Sequence, residues 1–598
     1  MTTLRKRAPS LAKKESANKI DVSNLQTRPR KRVAALWVFL ALIAGLIIAR
    51  HPEASSFASD LLPPADKLLA DLDNWGNFTV TSRIRSAISD MFNSSLLSTK
   101  PDVPFYIDVI SDSNSTTLRP AVFIPGYITS GLEIWQSLPC ARSKFRERIW
   151  GTASMVKLLL TDAKCWVQHM LLHPITNHTS VHFTDPPGVR IRASSGLGAA
   201  DYVIGDYWVW NPIIEALGYA GYDETKMSMM SYDWRFPLRD LEHRTRYFSR
   251  LKHEIEKLYA INANEPVLVV THSFGAKVWF FFIQWISFHF SPQWIDKHVA
   301  VTYNIAPVYL GVPKAISSLL SGDTRDTAQM GALSSLVDAV LPPTERIALT
   351  TSWGSIFDMR PLGGPQVWKD PMLYLQVNNS KTPVAYSVDS AVSLLLKTDA
   401  MIFHAQHQDT RKNDMLRCPI TGIPIECYKD EWTDALASPL PRIFNMTIWA
   451  VYGVGIPTEI GYNYTLTSNF RDNKGYKINT TVSDLEQNIV NGVLLGDGDG
   501  TVPLQSLGYV PAIAWRHRTL NPSNISVYVR ELVHGETYSV LGRSSSVGGS
   551  SVDHVDIMGN KEVIRDILHL ALGMEILDHP LKRKEFNGEI LEIEKLRL

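Results

Sequence analysis

A serine hydroxyl attacks an ester only when a base takes its proton and an acid orients that base, so residues able to form this relay are the first object of search. Ser273 lies in "VLVVTHSFGAKVWFFF" (267–282), where four branched apolar residues lead into Thr271, His272, Ser273, Phe274 and Gly275 and then a thick apolar segment. The pattern G-x-S-x-G marks a strained strand-to-helix turn that lifts a serine clear of a sheet, with small flanking residues that let backbones approach. Thr271 replaces its first glycine, so the pattern is half met. Where such a turn is catalytic, the acid and then the histidine follow in the chain. "LLGDGDGTVPLQSLG" (494–508) offers Asp497 and Asp499 in a glycine-rich turn after an apolar run. That turn either displays an acid at a strand's C-terminal edge or is merely solvated. A calcium loop fails here, because Val502 stands where its glycine is needed and Gly508 where its last glutamate is needed. Further on, His554 in "VDHVDIMGNKEVIRDIL" (552–568) precedes an amphipathic helix, and His534 in "ELVHGETY" competes with it. Spacing alone leaves both histidines open.

These residues need a scaffold. The run 267–270 suits a strand covered on both faces, as in a parallel sheet. "AVFIPGY" (121–127) reads as a second buried strand and "KMSMMSYDWRFPL" (226–238) as a third. Between the third and Ser273 lies "LEHRTRYFSRLKHEIEKLYAI", charged but with apolar residues at helical spacing. Strand, helix, strand, elbow, helix predicts an α/β fold with a mostly parallel, doubly wound sheet.

The chain of 598 residues, 45% of them hydrophobic, exceeds the usual single-domain size and can bury a large core. Its 60 basic and 59 acidic residues give a net charge of +1, which provides no overall attraction to nucleic acid. Basic charge is local instead: residues 1–32 hold ten Lys or Arg against Glu15 and Asp21, the composition of a disordered arm. "VAALWVFLALIAGLIIA" (33–49) then runs seventeen residues without a charge between Arg32 and Arg50. As a helix it would span roughly 26 Å, close to the thin hydrocarbon core of the endoplasmic reticulum. The cationic flank predicts a single transmembrane signal anchor with 1–32 cytosolic and everything beyond residue 50 in the lumen.

A lumenal location carries expectations. Nine sequons, at Asn77, Asn93, Asn114, Asn177, Asn378, Asn445, Asn463, Asn479 and Asn524, all lie beyond the anchor. Proximity along the chain pairs Cys140 with Cys165 and Cys418 with Cys427 in an oxidising compartment, against the alternative of free buried thiols. Residues 50–100, rich in Ser, Pro and Asp, read as a stalk.

Taken together, "PGYITSGLEIWQSLPCARSKFRERIWG" (125–151), "DPPGVRIRASSGLGAADY" (185–202), "YDWRF" (232–236), "THSFG", "YGVGIPTE" (452–459), "DGDGTVPL" (497–504) and "HVDIMGN" (554–560) resemble the lecithin:cholesterol acyltransferase family. The likeness is to its endoplasmic-reticulum, phospholipid:diacylglycerol-using branch. It covers residues of about 100 to 575 in order, and the basic tail and single anchor belong to it.

The resemblance implies an α/β-hydrolase fold, with the core at 101–329 and 441–598, a lid loop at 140–165 and a cap or lid insertion at 330–440. It makes Ser273 the nucleophile, Asp499 the orienting acid and His554 the base. The backbone N–H groups of Tyr127 and Phe274 become the oxyanion donors; Phe274 stands where relatives often carry Met, which leaves the backbone donor intact. A disulfide at Cys140 and Cys165 would close the lid loop, and Trp166 would touch lipid rather than serve as one more buried aromatic. The implied reaction moves an acyl chain, at the sn-2 position, from a glycerophospholipid through an acyl-serine to diacylglycerol. Because one ester replaces another, no nucleotide, CoA or metal is required.

Other readings use the same residues differently. A sterol-accepting transferase or a phospholipase A would share the triad and differ in the acceptor, and a catalytically silent lipid-binding protein would leave three filled triad positions without a purpose. "HAQHQD" (404–409) matches the H-x-x-x-x-D site of CoA-dependent acyltransferases, but about one such match is expected by chance in a chain this long.

Overall fold

The β-branched run around residue 267 does form a buried strand. The computed structural model describes residues 106–576, apart from 112–117, 177–180, 204–207, 326–337, 339, 378–379, 381, 402–403, 405–429, 468–470, 472, 536–548 and 575. The arm, the proposed anchor at 33–49, the stalk at 50–100, Cys418 and Cys427 therefore lie outside the described residues. Among the described residues no helix is long and apolar enough to cross a membrane.

Six strands make one all-parallel sheet: β1 (Ala121–Ile124), β2 (Met227–Met229), β3 (Val267–His272), β4 (Val299–Ile305), β5 (Thr447–Val454) and β6 (Val527–Val533). Their order is β6-β5-β4-β3-β1-β2. Successive side chains of a strand point to opposite faces, so the complete burial of all six residues of β3 shows that both faces are covered. The chain runs outward from β1 to β2 and then reverses to β3. A crevice at the carboxyl ends of β1 and β3, where winding changes direction, is where open α/β sheets bind ligands.

Helix α3 (Gly275–His289) leaves β3 and buries eleven of its fifteen residues, as expected of a helix apolar nearly all round. Two helices replace the single one predicted before β3: α1 (Leu238–Thr245) and α2 (Tyr247–Ile261), separated by Arg246 in a left-handed conformation, φ 52°. Buried Glu242 accounts for the break, because its carboxylate accepts from the Ser249 N–H at 3.0 Å and hydroxyl at 2.6 Å and so caps the first turn of α2. Phe248 of α2 then packs on Phe281 of α3, ring centroids 5.2 Å apart. The third predicted strand shrinks to β2, and residues 230–237 turn inward instead, tied by Tyr232 to the Pro125 carbonyl and by Trp234 to the Ser130 carbonyl.

A second, mixed sheet stands apart from the first. It orders strands 384–386, 373–377, 458–466, 493–496 and 489–490, with 476–478 on the side of 458–466. Leu373–Val377 pairs in parallel with Tyr462–Leu466, so this sheet draws strands from both sides of residue 440. Its strand Val493–Gly496 runs directly into the turn that holds Asp499.

Candidate active site

Ser273 sits at φ 56°, a conformation unfavourable to any residue but glycine, at the corner between β3 and α3. Two glycines permit that corner. A Cβ on Gly275 would lie 2.4 Å from the Ile124 carbonyl oxygen, and one on Gly126 would lie 2.9 Å from Ser273 Cβ. The missing first glycine of the elbow pattern has a physical substitute: buried Thr271 donates its hydroxyl to Asn304 Oδ1 on β4 at 2.7 Å, so its side chain is both packed and satisfied.

Ser273 Oγ lies 2.8 Å from His554 Nε2, and His554 Nδ1 lies 2.6 Å from Asp499 Oδ2. All three side chains are buried, Asp499 completely. The other Asp499 oxygen, Oδ1, accepts from the N–H groups of Thr501 at 3.0 Å and Val502 at 2.7 Å, which fixes the carboxylate before it meets the imidazole. The Asp499 carbonyl in turn accepts from the His554 N–H at 3.1 Å. Asp497, the other acid of the turn, is used differently. Its Oδ1 accepts from the Gly455 N–H at 2.7 Å and so ties the turn to the end of β5.

The backbone N–H groups of Tyr127 and Phe274 have no backbone acceptor among the described residues. Tyr127 follows the β1 strand and Gly126, which abuts Ser273; Phe274 opens α3 with its own ring buried. Two such N–H groups beside a serine can stabilise the oxyanion of an ester under attack, and the rest of the set can carry its proton.

His534 is not brought to the serine. Its N–H bonds the Val454 carbonyl, and its Nδ1 lies 3.5 Å from the Val552 N–H. His404 is likewise a core residue, buried between Phe183 and Phe357 with Nε2 2.8 Å from the Thr351 carbonyl.

A disulfide joins Cys140 to Cys165. Trp166, expected at the lipid, is buried in this structure: its indole N–H bonds the Ile149 carbonyl at 3.1 Å, and it packs against Trp150. The aromatics exposed near the disulfide are instead Trp135 and Phe145, in edge contact at 6.0 Å with Arg146 over the Trp135 ring.

Sequence reasoning missed two supports of the site. Thr458 Oγ1 accepts from the Gly500 N–H at 2.8 Å and so holds the Asp499 turn, a role with no local signal. His272 bonds the His554 main chain, and its only signal is adjacency to the serine.

A serine on a strained turn above a parallel sheet, in line with an imidazole and a carboxylate, is a constellation suited to acyl transfer. The model of the lecithin:cholesterol acyltransferase family matches residues 144–561. The phospholipid:diacylglycerol acyltransferase of Schizosaccharomyces pombe is 30% identical over 541 residues, 84% of this chain and 82% of its own. That of Saccharomyces cerevisiae is 29% identical over 594 residues, 92% of this chain and 85% of its own. A phospholipid–sterol O-acyltransferase of Arabidopsis thaliana is 28% identical over 217 residues, 34% of this chain and 33% of its own. The chain belongs to the lecithin:cholesterol acyltransferase family.

Proposed function

We propose that this protein is an acyl-CoA-independent acyltransferase that moves the sn-2 acyl chain of a glycerophospholipid to diacylglycerol, with Ser273, His554 and Asp499 as its triad. The observation that carries the reaction type is the unbroken line of hydrogen bonds from Ser273 Oγ through His554 to Asp499. His554 Nε2 takes the serine proton as Oγ attacks the ester carbonyl, and the Tyr127 and Phe274 N–H groups receive the oxyanion. The same proton passes to the leaving oxygen, which departs as lysophospholipid. The acyl-serine is then attacked by the free hydroxyl of diacylglycerol, whose proton His554 takes and returns to Ser273, and triacylglycerol leaves. On this reading the parallel sheet is an α/β-hydrolase core, and residues 330–440 with the second sheet form its cap.

The choice of acceptor is supported by the extent of similarity. Relatives named for diacylglycerol match 84% and 92% of the chain, the sterol-named relative 34%. Pocket shape and exclusion of water decide which hydroxyl reaches the acyl-enzyme. Purified enzyme given phospholipid labelled in the sn-2 chain, with equal diacylglycerol and sterol, is expected to place most label in triacylglycerol. Label chiefly in sterol ester or free fatty acid would refute the acceptor while leaving the triad intact.

The proposal includes location: a single anchor at 33–49 in the endoplasmic-reticulum membrane, with the catalytic part in the lumen. The charged flank of that segment, the sequons and the Cys140–Cys165 bond support it. The fold sorts the sequons it describes. Asn445 and Asn524 are exposed, whereas the Asn463 side-chain nitrogen is buried within a strand and could not carry a glycan. Glycosidase treatment is expected to increase gel mobility, and Asn445→Gln and Asn524→Gln each to reproduce part of that increase, with Asn463→Gln migrating as wild type. No glycosidase effect on the full chain would remove the lumenal placement.

A further inference from the structure

His272 is a buried imidazole that the mechanism above does not use. It ends β3, one residue before the nucleophile, and its Nε2 lies 2.9 Å from the main-chain carbonyl oxygen of His554. A carbonyl only accepts, so Nε2 carries the proton and Nδ1 is the lone-pair nitrogen. That Nδ1 is buried without a hydrogen-bond partner and faces Gly126, where a Cβ would come within 3.1 Å of it. The His272 and His554 rings lie 5.0 Å apart at 41°.

A buried acceptor left unpaired is costly, and a phenyl ring would fill the same space without that cost. An imidazole is justified here only by what its Nε2–H holds. Two of the main contacts that fix His554 come from Asp499, through the imidazole Nδ1 and the main-chain N–H. Asp499 is itself delivered by the second sheet, through strand Val493–Gly496. Those contacts align the base with the acid's turn but not with the nucleophile. The His272 bond supplies a tie from the strand that ends one residue before Ser273 to the main chain of His554.

We infer that His272 is a positioning residue for acyl transfer, whose Nε2–H registers the base His554 against the nucleophile's strand. The inference rests on the reading of His554 as the base. Burial first, and the neighbouring His554 second, push the His272 pKa down to about 3, so the ring remains the neutral donor that this role requires. A displacement of about 1 Å between reacting groups can cost about a hundredfold in rate, so holding the base in register is worth a side chain of its own.

The test uses the full chain with His272→Phe, His272→Asn and His272→Gln. Glutamine can present an N–H where Nε2 stood; asparagine presents it one bond short; phenylalanine fills the space without a donor. The measurements are the rate at which a fluorophosphonate labels Ser273, kcat and KM taken separately, and the thermal midpoint. The Phe and Asn variants are expected to lose roughly 10- to 100-fold in labelling rate and kcat, with KM changed less than about twofold, and Gln to recover to within about threefold. The Phe variant exchanges one unpaired buried acceptor, His272 Nδ1, for another, the His554 carbonyl, so it should melt close to wild type. Wild-type labelling in Phe or Asn, or a Gln variant no better than Asn, overturns the inference, as does a loss of rate that follows the melting temperature. If Phe does not fold, the Gln and Asn pair decides the same question. His554→Ala labelled at the wild-type rate would instead defeat the reading of the base itself, a distinct failure.

Discussion

Ser273→Ala is expected to lower acyl transfer by about 10⁴-fold or more, with the melting temperature unchanged. The side chain is small and its hydroxyl bonds His554 Nε2, so its loss removes the nucleophile without opening a cavity. His554→Ala should cost about as much, and Asp499→Asn about 10⁴-fold, because an amide can present an N–H to Nδ1 and favour the wrong tautomer. Residues that act as one unit are not additive, so the Ser273→Ala, His554→Ala double variant should be no worse than either single one within about tenfold. Residual product formation by Ser273→Ala at even a tenth of the wild-type rate would end the acyl-serine mechanism. His534→Ala is the matched control. Its ring is engaged at the end of β6 rather than at Ser273, so activity should stay within about twofold of wild type. Loss of activity there with retention in His554→Ala would exchange the two histidines.

What the sequence displayed of this site follows from where the information is local. The β3 strand, the turn and the α3 helix occupy one stretch of twenty-three residues, 267–289, and the alternation of apolar run, small cluster and apolar run is enough to place Ser273. The Thr271 departure weakened that pattern because its compensation, Asn304, is on another strand. Choosing His554 over His534 needed either resemblance or three dimensions, since both follow the acid and both are near predicted elements. The second sheet was illegible for the same reason. Leu373–Val377 meets Tyr462–Leu466 across almost ninety intervening residues, and a pairing of that separation leaves no local trace. The division of 241–261 into α1 and α2 turned on one buried carboxylate, Glu242, whose spacing suits an uninterrupted helix equally well. Trp166 is singled out by the resemblance alone, and its burial and the main-chain partner of its N–H, Ile149, are features no local pattern displays.

The motif YDWRF points to a second large effect, on stability rather than chemistry. Arg235 is completely buried. Its guanidinium grips Asp233 through Nε at 2.9 Å and Nη2 at 2.7 Å, and Nη2 also reaches Asp185 Oδ1 at 2.8 Å. Its Nη1 donates to the carbonyls of His169 and Met170, each at 3.3 Å, at the end of the helix Ala163–Met170 that carries Cys165. One cation thus anchors the disulfide-closed segment to the loop after β2. Burial alone would lower the Arg235 pKa, but the charges and hydrogen bonds of Asp233 and Asp185 outweigh it, so the group stays protonated. Burial would likewise raise the Asp185 pKa, but Arg235 and Arg244 outweigh it and the net displacement is downward. Removing the cation leaves two buried carboxylates without their common partner, and breaking a buried pair from one side costs about 3–5 kcal/mol. Arg235→Met is therefore expected to lower the melting temperature sharply and to make the 140–170 segment more susceptible to protease. Adding Asp233→Asn to Arg235→Met should recover part of the loss, because one of the stranded charges is then gone. The sign with pH follows from Asp185. A carboxyl whose folded pKa is depressed contributes stability above its unfolded value of about 3.9, and that contribution is lost as pH falls through the lower folded value. The gap between wild type and Arg235→Met should thus be widest at neutral pH and narrow under acid. A gap that widens instead as pH falls, or an Arg235→Met variant that melts with wild type at pH 7, would show that the guanidinium does not hold this segment in place.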